Sequence, residues 1–186
     1  MMNDTSTEVP LAFANSFADA DVAAILRERG WLDTVHHEET DAGMQAWLAR
    51  AAELLGPHPP DRAALADLLA LTFTYDAIAV LQDAANQAVL AREGARDVIR
   101  ELANRVLDGG DVDSDRFKEI VEGMKLAVPY RSREMFLPIR VALAGRAGSR
   151  ELDRVILLLD SAARLSFAVP VKGARQRMLE FCAALD

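Results

Sequence analysis

The chain has 186 residues, of which 51% are hydrophobic and 27% charged, with a single cysteine and a formal net charge of −8. This length holds one well-cored domain or two small ones, and the composition excludes wholesale disorder, an internal disulfide and a membrane span. Alanine and leucine dominate and aromatics are only 6%, a balance that favours helices over strands.

Residues 1–16 are polar with little periodicity, and MMNDTSTEVP lacks the basic segment and apolar core of a secretory signal, which points to the cytoplasm. Asp19 caps a predicted helix to about Arg29, with Val22, Ile25 and Leu26 on its apolar side and Gly30 as its stop. A second helix is predicted from about Thr40 to Leu55, with Met44, Trp47, Leu48 and Leu55 at helical spacing. Trp31 and Trp47 read as core residues. Gly56-Pro57-His58-Pro59-Pro60 ends this helix, because consecutive prolines cannot continue the hydrogen-bond ladder. That break divides the chain into a helical extension, 1–60, and a bundle, 61–186.

Asp61 starts the next predicted helix, which carries Leu65, Leu68 and Leu69 and reaches about Thr72. A longer one follows from about Tyr75, with Ile78, Leu81, Ala85, Ala88 and Val89 on one face, interrupted or kinked at Gly94. Val98, Ile99, Leu102 and Val106 carry the pattern on to Asp108-Gly109-Gly110. Ser114 is the expected N-cap of a helix bearing Phe117, Ile120, Val121, Met124 and Val128, closed by Pro129. After Val169-Pro170, a last helix places Ala174, Met178, Phe181, Cys182 and Leu185 on a buried stripe. Nothing alternates at period two for long enough to make a strand. The expected architecture is all-α, a compact multi-helix bundle of about nine helices.

Catalytic and metal chemistry find no support. His36-His37-Glu38-Glu39 supplies ligand types, but adjacent residues do not converge on a helix, where neighbours are three or four apart. Asp108, Asp111, Asp113 and Asp115 superficially resemble a calcium loop that lacks glycine at its sixth position. There is no glycine-rich phosphate loop, no Ser/His/Asp spacing and no Cys/His pair. The expectation is a non-enzyme without cofactor, metal or catalytic residue.

Charge is unevenly spread. Residues 128–186 hold 10 Lys+Arg against 6 Asp+Glu, a balance of +4, while residues 1–127 hold 11 against 23, a balance of −12. Within the basic third, Arg131 to Asp160 carries six arginines around one turn: Arg131, Arg133, Arg140, Arg146, Arg150 and Arg154. A helix capped near Ser132 contains Met135, Phe136, Pro138, Ile139 and Leu143 and ends at Gly145; Ser149 is the expected cap of the next, with Leu152, Val155, Ile156 and Leu159 facing the core. A helix start surrounded by arginines is suited to phosphate or carboxylate and to base edges. The alternative is that these arginines pair with the acidic part of the chain and only hold the halves together.

The run PIRVALAGRAGSRELDRVILLLD resembles the end of the anticodon-binding region of bacterial glutamyl-tRNA synthetases. The residues that carry the resemblance are Phe136, Pro138, Ile139, Arg140, Ala142, Leu143, Gly145, Leu152, Leu157, Leu158 and Leu159. The resemblance implies a helical anticodon-binding fold with tRNA or another RNA as partner. It also implies base contacts by Arg140, Ser149, Arg150 and Leu152, to which Arg131, Arg133 and Arg146 add a basic corner. Ala144 stands where that family has threonine, Ser149-Arg150 where it has Gly-Pro or Thr-Pro, and Asp160 where it has glycine. Neither an H-I-G-H-like nor a K-M-S-K-S-like element occurs, so a freestanding, truncated relative without aminoacylation is expected. The competing expectation is a regulatory or protein-interaction adaptor that retains the fold but not the RNA, which the −12 balance favours.

Overall fold

The computed structural model describes residues 16–33 and 41–185. Among the described residues the regular structure is entirely helical. Eleven helices follow in order: α1 Asp19–Glu28, α2 Asp41–Leu55, α3 Arg62–Phe73, α4 Ala77–Gln82, α5 Ala84–Leu90, α6 Ala95–Leu107, α7 Ser114–Ala127, α8 Ser132–Ala144, α9 Glu151–Ile156, α10 Leu159–Ala163 and α11 Ala174–Leu185. None is long and apolar enough to cross a membrane. The His36-His37-Glu38-Glu39 run and Thr40 lie outside the described residues.

The count exceeds nine because two predicted helices are broken. Asp83 leaves the helical region (φ −68°, ψ 128°) and its carboxylate accepts from the Asn86 N–H, so it ends α4 and caps α5. The single face expected for Ile78, Ala85 and Ala88 is lost, and Ile78 is 62% exposed. The second break falls at Leu157 and Leu158, between α9 and α10. Elsewhere the caps shift by one residue: Asp113, rather than Ser114, accepts from the Arg116 N–H at the start of α7.

Helix α8 is the axis of the molecule, and α4, α5, α6, α9 and α11 all pack against it. Every residue from Leu137 to Ala144 is buried, so this helix is enclosed all round rather than on one stripe. Pro138 lies inside it without interrupting it; it merely has no N–H to give the Glu134 carbonyl. Trp31 stacks on Phe73 at 4.8 Å between ring centroids, and Trp47 and Phe167 close the cluster edge-on. The Trp47 indole N–H donates to the Leu158 carbonyl at 3.2 Å, which ties α2 to the α9–α10 junction. Both tryptophans are core residues, as the spacing predicts.

Two polar side chains lock the carboxy-terminal elements. Arg177, on α11, is fully buried and donates to the carbonyls of Lys172, Leu143 and Thr72, each at 2.8 Å. Its guanidinium lies 4.5 Å from the centre of the Tyr75 ring, whose hydroxyl donates to the Ala142 carbonyl at 2.7 Å. Burial lowers the Arg177 pKa to about 10, which leaves it charged at neutral pH, and burial holds the Tyr75 phenol well above its usual range. Asp160 accepts from the Val112 N–H and from the Ala174 N–H, both at 2.6 Å, so a side chain of α10 caps α11. Cys182 is half-buried and packs against the core from the last helix rather than lying fully inside it.

Gly94 has φ +79°, and a Cβ built there would lie 2.0 Å from Tyr130 Cζ. Gly94→Ala is therefore expected to cost about 2–3 kcal/mol, combining the left-handed penalty with a clash that displaces the ring. In a Tyr130→Ala background the same change should cost only about 1–2 kcal/mol, because the backbone penalty alone remains. Urea denaturation of the four proteins measures the difference.

Candidate nucleic-acid interface

Gly145 ends α8 in the left-handed conformation (φ +82°), and the chain turns back through residues 145–150 into α9. Buried side chains hold this turn from beneath. The Asn86 amide nitrogen donates to the carbonyls of Val80 and Gly145 at 3.0 and 3.1 Å, and its oxygen accepts from the Ala147 N–H at 2.7 Å. Arg140 Nη1 donates to the Gly148 carbonyl at 2.9 Å. With its backbone groups tied on both sides, the turn is a pre-organised platform rather than a loose loop.

A groove of about 870 Å³ opens between α5, the first half of α8 and this turn. Its floor contains Phe136, Leu137, Arg140 and Asp153. Arg140 Nε and Nη2 donate to the two Asp153 carboxylate oxygens at 2.7 and 2.8 Å, and its guanidinium lies 5.4 Å from the centre of the Phe136 ring. Only 7% of Arg140 is exposed. Breaking a buried, bidentate pair of this kind costs about 3–5 kcal/mol, more than the about 1–3 kcal/mol that a bidentate base contact returns. The pair therefore survives as part of the floor. Around the groove stand Arg92, Arg133 and Arg150, all exposed, and none has a carboxylate partner among the described residues.

The residues singled out from sequence divide into three sets. Arg133, Arg140, Ser149 and Arg150 line the groove. Arg146 lies on the other side of the turn, in a shallow cleft with His58, Asp67 and Glu151, and Arg131 stands outside the groove, its Nη1 donating to the carbonyls of Val128 and Tyr130. Leu152 is buried in the core. Ser149 does not cap the next helix: Arg150 occupies the cap position without a side-chain bond, and α9 is only six residues long. The Ser149 hydroxyl instead donates to the Glu151 carboxylate, which this bond and a backbone N–H hold below the usual carboxylate range.

Sequence reading missed Arg92, Asn86 and Asp153. Arg92 and Asn86 fell within a helix expected to run unbroken past Asp83, and the Asp83-x-x-Asn86 spacing of an aspartate cap was the available signal. Asp153 lies 13 positions from its partner Arg140, a separation that no local pattern reports. Among the described residues no group of histidines, cysteines and carboxylates could hold a metal ion.

Residues 21–166 match the family model described as anticodon binding domain. The chain is similar to glutamate–tRNA ligase 2 of Syntrophus aciditrophicus (strain SB), 25% identical over 130 residues, covering 68% of this chain and 26% of that protein. It is similar to glutamate–tRNA ligase of Heliobacterium modesticaldum, 31% identical over 97 residues, covering 52% of this chain and 19% of that protein. Against glutamate–tRNA ligase of Bacillus subtilis (strain 168) it is 27% identical over 121 residues, 65% of this chain and 24% of that protein. The chain thus spans about a quarter or less of the length of these relatives. No solved structure matches it significantly.

Proposed function

The chain belongs to the anticodon binding domain family, and from that premise we propose that it is a non-catalytic, cytoplasmic tRNA-binding module whose RNA lies in the groove between α5, α8 and the 145–150 turn. The observation that carries this reading is the meeting of Arg92, Arg133 and Arg150, from three separate elements, around one open groove. Unpaired guanidinium groups break no ion pair when they turn toward phosphate, and phosphate contacts supply much of the affinity for nucleic acid. The absence of H-I-G-H-like and K-M-S-K-S-like elements from the sequence supports the non-catalytic part.

The test is binding of a mixed tRNA pool to the full chain, followed by fluorescence anisotropy over a salt series. Binding is expected at low salt and should weaken steeply as salt rises. The Arg133→Ala/Arg150→Ala double variant should bind less tightly and lose about two contacts' worth of salt slope, roughly 1.4 to 1.8 in log–log terms. Undetectable binding at low salt would sink the reading. A second reading, a protein-interaction adaptor that keeps the fold without RNA, is favoured by the Arg140–Asp153 pair, which removes Arg140 from the surface. In that case neither tRNA nor any other RNA binds, and the double variant leaves partner capture unchanged.

A further inference from the structure

We propose that this groove holds RNA by its phosphate backbone without reading base sequence, because Asp153 already occupies the edge of Arg140 through which a base would be read. The inference rests on the RNA-binding reading above and specifies its ligand chemistry. A guanidinium recognises a base edge with two parallel N–H donors in one plane. In Arg140 the Nε and Nη2 donors are both directed at Asp153, Nη1 is directed at the Gly148 carbonyl, and Phe136 covers the ring-facing side. The carboxylate stands where a base acceptor pair would otherwise be.

The neighbouring positions are equally committed. Ser149 gives its hydroxyl to Glu151, and Leu152 is inside the core. Arg150, like Arg92 and Arg133, is exposed at the rim with its donors open. What the groove does offer is three exposed cations spread around its mouth and a half-buried Phe136 on its floor. Cations at the mouth suit successive phosphates, and a flat aromatic surface accepts any base by stacking. The Arg140–Asp153 pair is net neutral, so the uncompensated positive charge of the groove sits at the rim, with Arg92, Arg133 and Arg150. A base-edge pair discriminates by about 5- to 150-fold against the wrong base, and the one such pair on the groove's floor, that of Arg140, is already closed by Asp153.

The experiment uses the full chain and a panel of stem–loop RNAs identical in stem and length, with every loop base varied. Affinities are expected to agree within about threefold across the panel, below the discrimination of a single base-edge pair. Arg92→Ala should weaken every member equally and lower the salt slope by about 1. A spread of tenfold or more among loops, or an Arg92→Ala loss confined to one loop sequence, overturns the inference while leaving RNA binding intact. Failure of every RNA to bind at low salt overturns the RNA-binding reading itself, and this inference with it.

Discussion

Arg177→Met is expected to lower stability by about 3–5 kcal/mol, seen as a reduced urea midpoint and a Tm lower by on the order of 10 °C. Among the described residues Arg177 forms no ion pair; carbonyl dipoles surround its charge, with Asp160 and Glu180 adding favourable electrostatics from further away. Thr72 and Leu143 lie in the last turns of α3 and α8, where carbonyls have no partner within their own helix. Their negative dipole ends converge on one guanidinium, which also reaches Lys172 just before α11. Methionine matches the length of the stem but leaves three buried carbonyls bare, at about 1–3 kcal/mol each, offset in part by removing a desolvated charge. Arg177→Lys should recover less than half of the loss, because a single ammonium cannot span three acceptors held apart in a plane. If Arg177→Met unfolds at the wild-type urea concentration, those carbonyls have other partners and this account fails.

Asp153→Leu comes next in size, at about 3 kcal/mol. It strands the Arg140 cation in a site that is only 7% open, and the low end of the range for a broken buried pair applies because the Asp153 side chain is 21% exposed. Arg140→Met alone should cost a similar amount, since the Gly148 carbonyl and the Asp153 carboxylate are then left without their donor. The double variant Arg140→Met/Asp153→Leu should lie within about 1–2 kcal/mol of wild type, as buried pairs exchanged for apolar residues often do. The resulting cycle has a coupling energy of several kcal/mol, measurable by denaturant titration of the four proteins. Additive single effects would show that the two side chains are not partners in solution.

Much of the fold was legible because it depends on local rules. Apolar residues three and four apart located the major helices, and Gly30, Gly145 and the Gly56–Pro60 run marked stops that the structure keeps. The two breaks escaped because Asp83 and the Leu157-Leu158 pair interrupt the backbone without interrupting the apolar pattern. Arg177 escaped for a different reason. A cation among Ala174, Met178 and Phe181 reads as solvent-facing, and only the convergence of two helix ends from distant parts of the chain gives it a buried place. The same holds at the candidate site. The turn and its arginines were visible in sequence, but which of them are free depends on long-range partners. Arg140 was the leading candidate for contact and is the one most completely engaged; Arg92, hidden in a misread helix, stands open at the groove.

Asp160 binds the Ala174 N–H beside Gly173, where a Cβ would lie 2.4 Å from the same carboxylate oxygen. The aspartate and the missing side chain are thus two halves of one arrangement. Where a related sequence carries glycine at the first position, no carboxylate excludes a side chain from the second, and α11 must find another cap. A side chain at position 173 is therefore expected across relatives only where position 160 has lost its carboxylate, whereas glycine at 173 is compatible with either residue.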